Sequence, residues 1–309
     1  MAARALSSRR VANLLIIIVA FALGVLLRRT GRFGEGAPSA LNAFVLNISL
    51  PAAALLHVHS LRFQSSLLFA VVAPWILFIV GALLLDRIGR ALELPRRTIG
   101  CMVLLGGLGN TSFVGLPMIE AMYGREALGI GIIADQPGSF LVLATLGLAV
   151  AARYGGGSAT PREILGRIGR FVPFWAMVAG LLLTPVDYPP IVVTLLTRFA
   201  DTLTPLAMVS VGMQLRVGHL RGRTRPLALG LGWKMLVGPA MILAIGVAAG
   251  VADPLVLQVT VFEMAMPPMV TAGIIALEHD LDPPLAALFL GIGIPISLAT
   301  LPLWARLIG

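Results

Sequence analysis

The stretch Gly106-Gly107-Leu108-Gly109-Asn110-Thr111-Ser112-Phe113-Val114-Gly115-Leu116-Pro117 sets four glycines, three polar side chains and a proline in the middle of an apolar run over 98–121. A second apolar run, 254–277, is interrupted by Glu263-Met264-Ala265-Met266-Pro267-Pro268-Met269. Successive prolines remove two backbone donors and clash with the preceding turn, so a helix breaks or kinks sharply there. In hydrocarbon the freed carbonyls need partners, and a break is tolerated where it is buried in protein or lines a wet cavity. Two breaks in equivalent places of two halves point to a carrier's binding site. The plainer reading is that Gly and Pro are common in membrane helices and bend them for packing. The polar groups beside these two breaks favour the first reading.

The rest of the chain agrees with a membrane setting. Of 309 residues, 58% are hydrophobic and 12% charged, with a mean hydropathy of +0.95. A soluble domain carries about a quarter charged residues, so this chain cannot cover a globular surface with polar side chains. An all-α integral membrane protein without an extramembrane domain is expected. The single Cys101 makes no intrachain disulfide, and one Cys with four scattered His matches no zinc spacing, so no metal is expected. The net charge of +9 comes almost wholly from Arg at the ends of apolar runs. It reads as a topology signal, and no nucleic-acid partner is expected. The run 11–27 follows Arg9 and Arg10 as a signal peptide would, but lacks a small-residue cleavage pattern and reads as a retained helix.

A membrane helix needs about 20 mainly apolar residues. On that rule ten spans are expected, near 11–28, 39–57, 66–86, 98–121, 127–152, 169–185, 189–214, 226–251, 254–277 and 284–308. The longest connector, 154–168 (Tyr154, Gly155 to Gly157, Ser158, Thr160, Pro161), divides a five-helix half at 1–153 from another at 169–309 within one membrane domain. Arg28, Arg29, Arg32, Arg87, Arg90, Arg96, Arg97, Arg153, Arg162, Arg167, Arg170, Arg216, Arg221, Arg223 and Arg225 fall on one side. Arg4, Arg9, Arg10, Arg62, Arg125 and Arg306 fall on the other. The positive-inside rule then puts both termini outside the cytoplasm, against the pull of the three N-terminal Arg. An odd number of helices per half makes any similarity between halves an inverted repeat. Asn47 and Pro51 match Asp201 and Pro205, Pro74 matches Pro239, and Glu120, Pro137 and Ser139 match Glu278, Pro295 and Ser297.

Intramembrane ionisable residues are expensive and face the bundle interior. Asp135, Arg198, Asp201, Lys234 and Glu263 are the candidates. Arg198 and Asp201, three apart, could form an intrahelical pair. Lys234 could neutralise Asp201 or Glu263, or attract an anionic substrate. Glu263 precedes the proline pair by one turn, where a carboxylate and exposed carbonyls could hold Na⁺ or a proton. His57 and His59 read as interfacial, and Asp280-x-Asp282 as a solvated loop before Pro283 and Pro284. No zinc-hydrolase motif, nucleophile elbow or P-loop is present, so no enzyme is expected.

In outline the sequence resembles the auxin efflux carrier family. The resemblance rests on Leu46-Asn47-Ile48-Ser49-Leu50-Pro51, Asn110-x-x-Phe113-x-Gly115-x-Pro117, Pro205-Leu206-Ala207 with Gly212 and Leu215, Ala265-Met266-Pro267, and Leu298-Ala299-Thr300-Leu301-Pro302-Leu303. It implies ten helices in two inverted five-helix repeats with broken crossover helices four and nine. It also implies movement of a small organic anion across the plasma membrane, in a superfamily shared with bile-acid:sodium symporters. Spans one, two, six and seven would form the scaffold. Asn110, Thr111, Ser112, Pro117, Pro267, Pro268 and Lys234 are the expected substrate-binding residues, and Glu263, Asp135 and Asp201 the expected ion-coupling ones. No cofactor is expected beyond a coupling Na⁺ or H⁺. The expected partners are the anion and the lipid bilayer, and the expected protein assembly, if any, is a homodimer. Glu263 departs from the small or apolar residue that the resemblance implies at that place, which points to coupling closer to that of the sodium-dependent relatives. The short connector between spans five and six leaves no long loop for regulation by phosphorylation.

Overall fold

The structure, a computed structural model, describes residues 2–62, 64–156, 159–215 and 222–309, with side chains from Ala12 onward. Gly157 and Ser158 of the connector and Arg216 and Arg221 of the orientation signal lie outside these residues, as do the side chains of Arg4, Arg9 and Arg10. The regular elements among the described residues are all helices, with no strand. Among them, Ala12–Arg29, Ala37–His59, Leu67–Ala91, Arg125–Gly155, Pro190–Gln214, Thr224–Ala248 and Pro283–Ile308 are long and apolar enough to cross a membrane. Counting Pro161–Arg170 with Val172–Leu182 as one bent span makes eight. Two more expected spans fall short of that length because each is cut in two. The run 98–121 is helical over Arg96–Gly107 and again from Thr111, and 254–277 is helical over Pro254–Met264 and Val270–Glu278.

Local chemistry sets these boundaries. Pro161, Pro190, Pro254 and Pro283 open helices, where a missing N–H costs nothing because the first turn has no acceptor for it. Asp253 caps its helix by accepting from Leu255 N at 2.8 Å and Val256 N at 3.3 Å. Gly124, at φ +91°, ends Leu116–Tyr123 in a conformation that glycine adopts without strain. Pro137 sits in the wide π-turns Ala134–Phe140, and its carbonyl accepts from Trp75 Nε1 at 3.0 Å. The widened turn leaves room for the ring, and the indole gives the carbonyl a partner.

The chain forms two compact units, each drawing on both halves of the sequence. The first comprises Met1–Gln64, Ser112–Ile133 and Phe171–Leu215. In it Ala2–Arg29 packs along Leu203–Gln214, and Arg28 donates to the carbonyls of Met213 at 3.2 Å and Leu215 at 2.8 Å. A guanidinium at a helix C-terminus satisfies orphan carbonyls and complements the dipole.

The second unit comprises Ser65–Thr111, Ala134–Arg170 and Arg216–Gly309. Its connector 279–282 is not the uniformly solvated loop expected. Asp280 is exposed and pairs with Arg97, but the Asp282 side chain is only 10% exposed. Asp282 accepts from Thr98 Oγ1 at 2.7 Å, Arg223 Nε at 2.8 Å and Leu285 N at 3.3 Å. It holds φ +45°, a region its short polar side chain tolerates. Asp282→Ala is therefore expected to lower stability by roughly 2–3 kcal/mol, as a lost cap and a lost charged hydrogen bond. Asp280→Ala, removing an exposed pair, is expected to cost less than about 1 kcal/mol. Thermal unfolding of the two purified variants checks the contrast.

Candidate functional site

The centre of the second unit is built by the two helix breaks. Arg96–Gly107 ends at Gly106-Gly107, and Leu108 turns extended at φ −110°, ψ 125°. Pro254–Met264 ends before the two prolines, and Met269 is likewise extended at φ −70°, ψ 127°. The extended segments lie antiparallel, Gly109 opposite Pro268. Asn110 N donates to Pro267 O at 2.7 Å, and Met269 N donates to Leu108 O at 3.0 Å. Each break thus supplies backbone partners that the other needs, the condition for non-helical backbone inside a membrane. The prolines fit because this short ladder asks Pro267 for its carbonyl and asks neither proline for a donor.

Three charged side chains gather here. Asp135, Lys234 and Glu263 are the only ionisable Asp, Glu, Lys, Arg or His side chains fully buried among the described residues, each 0–1% exposed. Lys234 rises from the wide turn Trp233–Val237 and donates from Nζ to Met264 O at 2.6 Å. That carbonyl belongs to the last turn of Pro254–Met264, where carbonyls lack helical partners and the dipole is negative. Gly109 makes room for the ammonium, since a Cβ there would lie 2.9 Å from Nζ and 3.0 Å from Cε. Asp135 accepts from Thr111 Oγ1 and from Gln136 Nε2, the latter at 2.6 Å. Neither carboxylate oxygen of Glu263 has a hydrogen-bond partner among the described residues, nor has Thr260 Oγ1 one turn earlier. Lys234, Glu263, Thr111, Ser139, Gly109 and the Met264 backbone line a cavity of about 10 Å³ open to the centre of a water molecule. That is room for about one water.

Of the residues expected from sequence, Asn110, Thr111, Asp135, Lys234, Glu263, Pro267 and Pro268 belong to this unit, around the crossing. Ser112 and Pro117 belong to the first unit. So does Asp201, whose Oδ1 takes a 2.6 Å bond from Arg125. Arg125 also holds Glu120 at 3.0 Å, and Thr204 Oγ1 donates to Glu120 at 2.9 Å. The pair considered between Arg198 and Asp201 is replaced by this bridge, because the helix ends at Ala200 and Asp201 is its C-cap. His59 bonds Val186 O at 2.8 Å and stacks on Tyr188 with ring centroids 4.0 Å apart, a packing role. Gln136 and Gly109 were missed as site residues. Gln136 was signalled only by adjacency to Asp135, and Gly109 only by its place in a glycine-rich run.

A family model described as membrane transport protein matches residues 10–305. An uncharacterized transporter of Methanothermobacter thermautotrophicus is 29% identical over 304 residues, covering 95% of this chain and 96% of the relative. An uncharacterized transporter of Methanocaldococcus jannaschii is 25% identical over 306 residues, covering 94% and 96%. The matched range 10–305 spans both breaks of this multi-pass membrane protein. With a match over nearly its whole length, the chain belongs to the membrane transport protein family, that of the auxin efflux carriers.

Proposed function

We propose that the protein is a secondary active transporter of the inner membrane that moves a small organic anion, such as a carboxylate or an auxin-like acid, without covalent chemistry. The observation that carries this reading is the buried crossing of two broken helices with an ammonium at its centre. Lys234 spends one of its three donors on Met264 O, and the others can meet an anionic group beside Thr111 and Asn110. Pro117, Pro267 and Pro268 would shape the breaks, and Ser112 would add a hydroxyl next to Thr111. The cavity holds about one water, so the breaks must part to admit a substrate body, as alternating access requires.

Ten spans in two inverted five-helix repeats are part of the same reading. The antiparallel pairing of Gly109 with Pro268 is what an inverted repeat would produce at its crossover. The first unit collects the residues of spans one, two, six and seven, the set expected to act as scaffold, together with Ser112–Ile133 from the second half of span four and the start of span five. Arg-rich connectors favour both termini on the extracytoplasmic side.

Uptake of radiolabelled acetate, pyruvate, lactate, succinate, malate and indole-3-acetate into proteoliposomes tests the reading. Protein-dependent uptake of at least one is expected, reduced about tenfold or more in Asn110→Ala. A cation or proton antiporter is the second reading, favoured by the bare carboxylate of Glu263 with Asp135 and Asp201 as further exchange sites. Ion flux on a Na⁺ or pH jump, with no anion on the panel entering, would establish it instead.

A further inference from the structure

Resting on the transport reading, we infer that the anion travels with a proton and without Na⁺, the ammonium of Lys234 serving as the resident counter-cation of Asp135 and Glu263. Charge balance is the first ground. Glu263 lines the cavity with the Lys234 ammonium, and Asp135 stands behind the lining residue Thr111, from which it accepts a bond. Pro74, Leu77, Gly107, Leu108, Gly109, Thr111, Ser139 and Met264, which line the rest, bring no ionisable group. Thr260 and Gln136 nearby are neutral. Fully ionised, the cluster carries one net negative charge in the membrane interior, which is costly. One proton makes it neutral. A second proton, arriving with a monovalent anion, leaves one positive charge facing one negative charge, and the loaded site is again neutral.

Hydrogen bonding says where the protons sit. Asp135 has two donors, Thr111 and Gln136, that stabilise its charge. Glu263 has none among the described residues, and a buried bare carboxylate is the group most relieved by a proton. Glu263 therefore holds the resting proton, and Asp135 receives the one that accompanies the anion.

Sodium is disfavoured by occupancy. The carbonyl best placed for a cation, Met264 O at the negative end of its helix, is already bonded to Nζ at 2.6 Å. A metal ion in the remaining space, about one water in size, would face the ammonium at close range and low dielectric, where like charges repel strongly.

The experiment uses the full chain in proteoliposomes with a lumenal pH dye, and whichever of pyruvate, lactate, succinate or malate gives the highest protein-dependent uptake. Replacing Na⁺ by choline is expected to change wild-type uptake less than twofold, with the lumen acidifying as the anion enters. Asp135→Asn, which can no longer take up the proton that accompanies the anion, is expected to lose at least tenfold of the uptake driven by a pH gradient. Glu263→Gln, which mimics the resting protonated state, is expected to lose less than threefold; the reverse order overturns the assignment of the two protons. For the ion alone, melting curves are recorded in NaCl and choline chloride. The wild-type midpoint is expected to be the same in both, and Lys234→Met to melt lower and be raised by NaCl. Lys234→Met combined with Asp135→Asn is expected to recover stability in choline chloride, because it removes the charge left unbalanced by the loss of the ammonium, which keeps the test alive if the single variant fails to fold. Tenfold Na⁺ dependence of wild-type uptake, a constant lumenal pH during uptake, or a wild-type midpoint raised by NaCl overturns the inference while the transport reading stands. Entry of no anion at all overturns both.

Discussion

Gly24→Val is expected to leave little or no folded protein in the membrane fraction. Gly24 and Gly212 face each other where Ala2–Arg29 packs on Leu203–Gln214, and the two backbones touch. A Cβ on Gly24 would lie 2.1 Å from the carbonyl oxygen of Val209, and one on Gly212 would lie 2.2 Å from that of Phe21. The obstacle in both cases is helix backbone, which cannot step aside as a side chain can. Lipid tails are as apolar as leucine, so close van der Waals packing at small residues is a main force joining helices in a membrane. A valine must push the helices apart along their length, giving up that packing and the Arg28 bonds to Met213 and Leu215. Overpacking costs about 1–3 kcal/mol where a core can yield, and this site cannot, so roughly 3 kcal/mol or more is expected. Gly166→Ala is the control: nothing lies within 4 Å of its Cβ position, and a helical Gly→Ala change there should be neutral or stabilise by about 0.5–1 kcal/mol. Fluorescence-detected size exclusion and melting of the two variants give the comparison. Equal monodisperse yield from Gly24→Val and the parent would refute the close-packing account.

The sequence signals differ in how far each could reach. Helix breaks at Gly106-Gly107 and Pro267-Pro268 were legible because backbone chemistry is local: proline lacks a donor wherever it stands. That the breaks pair with each other, Asn110 with Pro267 and Leu108 with Met269, was not legible, since the bonds join residues more than 150 positions apart. Nor does the sequence choose between Asp201 and Glu263 as the partner of Lys234, for the same reason. Packing brings it to the carbonyl next to Glu263, while Asp201 is drawn to Arg125. The spacing of Arg198 and Asp201 suggested a pair because it assumed a helix continuing through both, but the helix stops at Ala200. Asp282 was underestimated because a polar residue before two prolines reads as solvent-facing, whereas Thr98 and Arg223, distant in sequence, enclose it. Membership of the two compact units is likewise a property of helix packing, which connector length does not encode.

Gly109→Ala is expected to reach the membrane folded, with its melting midpoint lowered no further than that of Lys234→Met, and to reduce transport about tenfold or more. The added methyl would lie 2.9 Å from Lys234 Nζ, 3.0 Å from Cε and 3.5 Å from the Met266 Cβ. Unlike the carbonyls at Gly24 and Gly212, the close atoms here are the far end of a flexible side chain, which can withdraw. Gly109 has no positive φ, and the paired bonds of the crossing belong to Leu108, Asn110, Pro267 and Met269, so the backbone need not move. Withdrawal does break the 2.6 Å bond from Nζ to Met264 O and takes the ammonium from beside Glu263. A hydrogen bond to a charged group is worth about 1.5–3 kcal/mol, and each 1.4 kcal/mol or so of lost stabilisation in the loaded state is about tenfold in rate. A monodisperse variant that still melts cooperatively, together with slowed anion uptake, would separate the site's chemistry from the fold that carries it. Uptake at the parental rate in Gly109→Ala would mean that the position of the Lys234 ammonium does not matter to transport, and the charge-balance account of the crossing would fall with it.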